Sequence, residues 1–446
     1  MPDTLNCPAL LVAAPASGQG KTTVASALAR LHTRRGLRVK AFKCGPDFLD
    51  PFWLSLAVTA AGEPPAPVHQ LDLWMTGEAA CAASLREAAR DADLIIVEGV
   101  MGLFDGTPSA ADLARRFGLP VLAVIDAGSM AGTFGALAFG LRHYEPDLRW
   151  AGVVANRVAS PRHGAMLQSG LRDGDDWLGS LPRSTEWALP ERHLGLVADL
   201  PLADALQRID AAADALAATP LAALSLERWD VGFSAPDAGP RPAALLAGRR
   251  VAVARDASFA FVYRANLDTL RLLGAQLVFF SPLAGEPLPD CDAVWLPGGY
   301  PELYPRQLAA ATATRDTLAA HIDAGKPVWA ECGGMMALMD EICDVQGNSH
   351  PGWGLLSGST RMQRRLAALG PQQLALPAGT LRGHTFHYST AASPLPIVAR
   401  TARPDTAPQA DAGEAVYAHE NVRASYFHAW FPSCPEAVAA LLGGHP

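Results

Sequence analysis

Short apolar runs, separated by alanine-rich stretches of helical periodicity, make up the first half of the chain. The strands they predict lie at residues 10–13, 37–43, 93–98, 120–126 and 150–156. A continuous apolar run of this length is typical of a parallel strand that helices cover on both faces. The pattern therefore predicts an α/β fold built on a parallel sheet.

A second set of strands follows a break in this pattern. The alternation of strands and helices fades near residue 220, and the later GPRP signal is typical of a linker. New apolar runs lie at residues 250–254, 276–280, 292–296 and 327–331. A length of 446 residues also favours two domains. We therefore predict domains at 1–224 and 248–446, joined by a linker at 225–247.

The first strand runs into a glycine-rich loop, residues 14–23 (APASGQGKTT), that precedes a helical pattern. Glycines let backbone N–H groups close around phosphate oxygens, and the helix points its positive end at the same anion. Pro15 stands where the strict phosphate-loop pattern has glycine, and a simple tight turn is the alternative. The intact Gly-Lys-Thr core favours nucleotide binding, which we assign to Gly18, Gly20, Lys21, Thr22 and Thr23.

A magnesium site is expected beside this loop, because ligands of open α/β sheets gather at the carboxyl edge of the strands. Glu98 ends a buried strand, the usual place for an acidic magnesium contact in a phosphate-loop protein. The hydroxyl of Thr22 suits the same ion. We assign the metal to Thr22, Glu98 and Asp47.

Other polar residues at this edge have two readings each. Lys43 is expected to reach a phosphate or a carboxylate, and Asn156 to contact adenine or to cap a loop. Asp47 and Asp105 lie in glycine-bearing loops, where they either act on the substrate or serve as turn residues. We predict a catalytic role for both aspartates.

A second chemical centre lies where an apolar run meets the segment ECGG. The strand leads into Cys332, two glycines follow, and a helix-like stretch comes next, which is the pattern of a nucleophile elbow. We expect the helix N-terminus to lower the pKa of the thiol, and His428 to act as its base. The expected oxyanion hole consists of backbone N–H groups of Gly298, Gly299 and Gly333.

The alternative at this centre is a structural cysteine with a core histidine. Two further histidines, His384 and His387, lie in the segment GHTFHY. They are either substrate contacts or ordinary strand residues.

Composition narrows the function classes. The net charge of −8, with no basic stripe, argues against nucleic-acid binding. No run approaches the roughly 20 apolar residues of a membrane span, and no signal peptide is indicated. The seven scattered cysteines are typical of reduced thiols, and no Cys-x-x-Cys pair suggests zinc. We expect a cytoplasmic protein with small-molecule ligands.

Together these motifs resemble the cobyrinic acid a,c-diamide synthase family of glutamine-hydrolysing ligases. The resemblance runs nearly end to end, whereas the phosphate loop alone is shared with dethiobiotin synthetase and many ATPases. It implies an N-terminal, dethiobiotin-synthetase-like domain and a C-terminal class I glutamine amidotransferase domain. Besides the phosphate loop, the matching segments are residues 43–51, 98–106, 188–196, 253–261, 280–283, 296–302, 330–334 and the stretch around His428.

The resemblance implies two coupled reactions. Cys332 would attack the side-chain amide of glutamine and release ammonia, with His428 as base and then acid. ATP and Mg²⁺ would activate a carboxylate, and ammonia would convert it to an amide, at the a and c acetate groups of a corrin-type polycarboxylate in cobalamin biosynthesis. Many related domains carry a glutamate two residues after the histidine, where this chain has Trp430, so the residue that orients His428 stays unnamed.

Several alternatives remain open at this point. The resemblance does not distinguish three macrocyclic substrates, which are cobyrinic acid, hydrogenobyrinic acid and nickel-sirohydrochlorin. A non-catalytic ATPase-type binding or regulatory protein is the alternative from another class, against which the Cys332 and His428 pair argues. A homodimer is compatible with either reading.

Overall fold

The computed structural model describes residues 4–189, 201–236, 241–404 and 413–443. The described residues up to 236 form one compact unit, and those from 241 onward form a second. Within these ranges, no helix combines the length and the hydropathy that a membrane span requires.

The first unit alternates strands and helices, as the apolar pattern predicts. Its strands are β1 (Thr4–Ala13), β2 (Val39–Cys44), β3 (His69–Leu71), β4 (Leu94–Glu98), β5 (Val121–Asp126), β6 (Trp150–Val158), β7 (Trp177–Pro182) and β8 (Asp230–Ser234). Its α-helices are α1 (Lys21–Arg34), α2 (Asp50–Val58), α3 (Glu78–Asp91), α4 (Ala110–Phe117), α5 (Thr133–His143), α6 (Pro161–Ser169) and α7 (Leu202–Ala217).

The sheet of the first unit has the order β3-β2-β4-β1-β5-β6-β7, and these strands run parallel. Every residue of β4 is buried, because helices cover both faces of the sheet. The parallel α/β fold predicted for this half is confirmed. Since β2, β4 and β1 are neighbours, their carboxyl ends bring Lys43, Glu98 and the glycine-rich loop to one edge.

Part of the expected linker was wrongly placed, because residues 230–234 form β8. This strand pairs antiparallel with the beginning of β1. Val231 and Phe233 are buried, whereas Asp230, Gly232 and Ser234 are exposed, which is the period-two pattern of a strand. The first unit therefore extends beyond residue 224, while the remaining domain limits stay predictions.

The second unit holds a mixed set of strands. They are β9 (Arg250–Ala254), β10 (Gln276–Phe280), β11 (Ala293–Leu296), β12 (Val328–Glu331), β13 (Met339–Cys343), β14 (Ser349–Pro351), β15 (Leu356–Met362), β16 (Ala368–Leu376), β17 (Gly379–His387), β18 (Ser389–Ala392), β19 (Ile397–Arg400), β20 (Ala415–His419), β21 (Val422–Ser425) and β22 (His428–Trp430). The α-helices are α8 (Arg264–Leu272), α9 (Pro305–Ala310), α10 (Thr312–Asp323), α11 (Gly333–Leu338) and α12 (Pro435–Gly443).

The central sheet of the second unit has the order β10-β9-β11-β12-β21-β20-β19. Its first five strands run parallel. β20 then pairs antiparallel with β21, and β19 pairs antiparallel with β20. Two smaller sheets have the orders β14-β13-β15-β18 and β16-β17-β22. The carboxyl end of β12 leads directly into Cys332, and the β17–β22 pair carries His428, so these elements position the second centre.

Candidate active sites

The glycine-rich loop has the left-handed backbone that glycine permits. The φ angles of Gly18 and Gly20 are 78° and 94°. Asn156 holds the loop, since its Nδ2 donates to the carbonyl oxygen of Gln19 at 2.9 Å. The Oε1 of Gln19 in turn accepts from the backbone N of Asp126 at 2.8 Å. The loop is therefore tied to the ends of β5 and β6.

Lys21 lies inside the loop at the start of α1. Its Nζ donates to the carbonyl oxygens of Ala16 at 3.1 Å and of Met101 at 2.5 Å. Thr23 follows in the first turn of α1 and is half-buried. The ammonium group thus lies between a carbonyl oxygen of the loop and one of the segment after β4. A phosphate carries negative charge and is therefore a stronger partner for this cation than a neutral carbonyl group.

A buried charge cluster lies beside the loop. Lys43 Nζ contacts Asp50 Oδ2 at 2.8 Å and Glu98 Oε1 at 3.3 Å, and all three residues are buried. Burial disfavours the charged lysine, but the two carboxylates outweigh this effect and raise its pKa. Burial, with the nearby charge of Asp50, raises the pKa of Glu98 to about 7.

The residues assigned to magnesium fit that ion in part. Thr22 Oγ1 donates to Glu98 Oε1 at 2.6 Å, which brings together the hydroxyl and the carboxylate that a phosphate-loop magnesium contacts. The other carboxylate oxygen of Glu98 is buried and has no hydrogen-bond partner among the described residues. The described ranges contain no group of three or more His, Cys, Asp or Glu residues arranged around a metal. Nucleotide phosphates and water are the remaining ligands such a magnesium ion uses.

Asp47 and Asp105 both make turn contacts. Asp47 Oδ1 accepts from the backbone N of Leu49 at 2.8 Å and of Asp50 at 2.9 Å, at the start of α2. Asp105 is exposed, and its Oδ2 accepts from the backbone N of Gly102 at 2.8 Å. The turn reading is thus observed, and the catalytic roles remain predictions.

The contacts of two residues at this site were not predicted from the sequence. Asp50 belongs to the segment 43–51, but only the fold shows that its carboxylate, rather than that of Asp47, pairs with Lys43. Gln19 carries no charge and stands between two glycines, so no local signal identified its bond to the end of β5.

Gly20→Ala is expected to weaken binding of a non-hydrolysable ATP analogue by about 10-fold or more, as measured by titration calorimetry. A Cβ at Gly20 would lie 2.1 Å from Asn156 Nδ2 and would displace the side chain that holds the loop. Gly36→Ala is the matched control, because its φ of 85° is similar and no atom lies within 4 Å of the added Cβ. Equal affinities for the two variants would contradict the role of the loop.

The second centre has the geometry of a nucleophile elbow. Cys332 has φ 44° and ψ −106°, a strained conformation for a non-glycine residue, between β12 and α11. Its backbone N donates to the carbonyl oxygen of Ser425 at 2.7 Å. The elbow predicted from ECGG is therefore present.

The prediction of a lowered pKa for the Cys332 thiol is wrong, because burial outweighs the effect of the helix. Burial, together with the nearby carboxyl of Glu302, raises the pKa of the Cys332 thiol well above its ordinary value. The N–H of Gly333 acts in the opposite direction, but α11 spans only Gly333–Leu338 and does not outweigh burial. The thiol is therefore neutral, and the predicted role of Cys332 as a nucleophile requires a base that removes its proton.

The predicted oxyanion glycines and the base lie close together. A Cβ at Gly298 would be 2.4 Å from His428 Cε1, and a Cβ at Gly333 would be 2.8 Å from the backbone N of Gly299. Such short separations leave no room for side chains. The structure thus brings Gly298, Gly299, Gly333 and His428 to the elbow, while the role of the N–H groups remains a proposal.

His428, the predicted base, is buried, and its strand is linked by a hydrogen bond to the strand that precedes Cys332. Burial, with the neighbouring His384 and His387, lowers the pKa of His428 well below its ordinary value, so the imidazole is neutral and able to accept a proton. Glu331 Oε1 accepts from the backbone N of Ala429 at 3.3 Å, which links β12 to β22. Burial raises the pKa of Glu331 to about 8.

His384 and His387 are both residues of β17. His387 Nε2 lies 3.0 Å from Glu414 Oε1, and its Nδ1 lies 2.7 Å from the carbonyl oxygen of Ser389. The His387 ring also stacks on Tyr426, with ring centroids 3.8 Å apart. These contacts support the strand reading for His387.

Comparisons with known families agree with this division of chemistry. Residues 10–197 match the CobQ/CobB/MinD/ParA nucleotide binding domain. Residues 250–435 match the CobB/CobQ-like glutamine amidotransferase domain. The chain is thus of the class that combines a nucleotide-binding domain with a glutamine amidotransferase domain.

Full-length relatives narrow the class further. The chain is 56% identical to the hydrogenobyrinate a,c-diamide synthase of Stutzerimonas stutzeri, covering 98% of this chain and 99% of that protein. It is 55% identical to the protein of that name from Pseudomonas aeruginosa, covering 98% and 97%. It is 48% identical to the cobyrinate a,c-diamide synthase of Herminiimonas arsenicoxydans, covering 97% and 96%. The chain belongs to the hydrogenobyrinate and cobyrinate a,c-diamide synthase family.

Proposed function

We propose that this protein uses ATP and glutamine to convert the a and c acetate carboxylates of a corrin precursor to amides. The observation that carries the proposal is the presence of two chemically distinct centres, one in each compact unit. The glycine-rich loop with Lys21 suits a nucleotide, and the Cys332 elbow with His428 suits glutamine hydrolysis. The family membership supports the same pairing of activities.

In the glutamine reaction, the proton of the Cys332 thiol passes to His428 as sulfur attacks the side-chain amide carbon. His428 then returns the proton to the leaving nitrogen, so that ammonia departs and a glutamyl thioester forms. Water hydrolyses the thioester to glutamate and regenerates the thiol. The buried imidazole is neutral, so one of its ring nitrogens carries a lone pair that can take the proton of the thiol, as these steps require.

In the synthetase reaction, a substrate carboxylate oxygen attacks the γ-phosphoryl group of ATP, giving an acyl phosphate and ADP. Ammonia then displaces phosphate and leaves the amide. Lys21 and the loop N–H groups hold phosphate oxygens, and Lys43 keeps Glu98 and Asp50 in place. Thr22 and Glu98 would hold a magnesium ion, which would supply positive charge beside the phosphates.

We further propose that the macrocycle is the metal-free hydrogenobyrinic acid. The relatives at 56% and 55% identity bear that name, whereas the relative at 48% is named for cobyrinate. The test incubates the purified protein with ATP, Mg²⁺, glutamine and each of hydrogenobyrinic acid, cobyrinic acid and nickel-sirohydrochlorin, and follows the products by mass spectrometry. Faster diamide formation from either metal complex would overturn the choice of macrocycle, and amidation of none would overturn the function.

Asp47→Asn and Asp105→Asn are expected to slow amidation and to let the monoamide accumulate, measured in a mass-spectrometric time course. An asparagine oxygen still accepts the hydrogen bonds of the turn, so the variants keep activity if the aspartates only stabilise turns. They lose activity if the carboxylate binds the metal or accepts a proton. Asp72→Asn is the control, because Asp72 Oδ1 accepts from the backbone N of Trp74 and Met75 in a similar turn. Wild-type rate and monoamide level would reduce both aspartates to turn residues.

The cytoplasmic location and the homodimer also belong to this proposal. A biosynthetic enzyme that depends on ATP and on reduced thiols suits the cytoplasm. Light scattering coupled to size-exclusion chromatography tests the homodimer, and a mass of 46.9 kDa in solution would exclude it.

A further inference from the structure

The proposed base lies against a second imidazole. β17 and β22 pair antiparallel, with His384 directly opposite His428. Residues opposite each other in such a pair project to the same face and contact. The two ring centroids are 4.9 Å apart and the ring planes differ by 18°. The His384 ring therefore forms one wall of the space that His428 occupies.

A tyrosine anchors this wall. The hydroxyl of Tyr263 lies 3.1 Å from His384 Nδ1, a contact that restricts rotation of the imidazole about its Cβ–Cγ bond. The ring of Tyr263 meets Trp430 edge-on, with centroids 5.0 Å apart. Trp430 is the residue that stands where many related amidotransferases carry a glutamate. The polar support of His428 is thus replaced in this chain by a packed aromatic group.

We propose that His384, held by Tyr263, is a positioning residue that keeps the His428 imidazole in the orientation for proton transfer with Cys332. This inference rests on the proposed function, since it requires His428 to be the base for the thiol. Both histidines are buried, at 3% and 1% exposure, and a neutral pair stacks without charge repulsion. Burial lowers the pKa of His384 to about 3, which keeps that ring neutral.

The test compares glutamine hydrolysis by His384→Ala and His384→Phe. His384→Ala removes the wall, and we expect kcat to fall by about 100-fold, because misplacing a catalytic group by about 1 Å has an effect of that size. The KM for glutamine is expected to stay within about threefold of wild type, since His384 acts through the base. His384→Phe keeps a flat ring and is expected to restore most of kcat.

Tyr263→Phe supplies a second, independent readout. Removing the hydroxyl is expected to lower kcat about fivefold in the wild-type background. It is expected to have no effect in the His384→Phe background, because phenylalanine offers no nitrogen for the hydroxyl to bind. This non-additivity distinguishes a positioning pair from two unrelated structural residues.

The control is His321→Ala, which removes another buried imidazole, at 6% exposure, from α10. It is expected to keep wild-type kcat, and thermal unfolding verifies the fold of every variant. Wild-type kcat in His384→Ala, or equal losses in His384→Ala and His384→Phe, would overturn the inference. Glutamine hydrolysis that survives Cys332→Ala would instead overturn the proposed function, so the two failures are distinguishable.

Discussion

Cys332→Ala is expected to reduce glutamine-dependent amidation by at least about 1,000-fold while amidation from ammonium chloride continues near the wild-type rate. In the proposed function the thiol serves only to release ammonia from glutamine, so external ammonia would bypass it. Alanine also fits the elbow, because the change only removes one sulfur atom from a residue that is buried, at 5% exposure. The measurement is the initial rate of amide formation, by mass spectrometry, with each nitrogen source.

Cys343→Ala is the matched control for this change. Cys343 is a buried cysteine of the same unit, on β13, and its Sγ contacts only a backbone carbonyl oxygen among the hydrogen bonds of the described residues. We expect both nitrogen sources to support its activity. An equal loss with glutamine and with ammonium chloride in Cys332→Ala would make Cys332 a structural residue and would contradict the division into two centres.

Lys21→Ala is expected to lower amidation about 100-fold or more with either nitrogen source, because it removes a positive charge from the phosphates in the transition state. The residue is buried inside the loop, at 7% exposure, so Lys21→Met should accompany it to preserve the packing of the side-chain stem. Rates with saturating ATP, glutamine or ammonium chloride measure the effect, and thermal unfolding verifies the fold.

Lys40→Ala provides the comparison for Lys21. Lys40 lies on β2 in the same unit, and its side chain is exposed. Removing it changes the net charge by the same amount without touching the loop, so we expect wild-type rates. If the Lys21 and Lys40 variants lose activity equally, or neither does, the nucleotide lies elsewhere.

The segments that could be identified in advance are those whose chemistry is local in the sequence. The apolar runs predicted the parallel strands, since a strand covered on both faces has to be apolar throughout. The glycine-rich loop and the ECGG elbow were recognisable because strand, turn and helix follow one another directly. By contrast, β8 was not predicted, because it is short and precedes a proline-rich stretch. Its partner β1 is adjacent in space but comes from the opposite end of the unit's sequence.

Interactions between distant segments were decided by the tertiary structure alone. The sequence by itself determined that Cys332 is the nucleophile candidate, but the fold decided that its thiol has a raised pKa, because burial depends on what packs around it. The sequence likewise placed Lys43 near the phosphate loop. That Lys43 forms its ion pair with Asp50 depends on the position at which α2 begins. The stacking of His384 on His428 follows from the register of two strands separated by other elements, and no local pattern encodes that register.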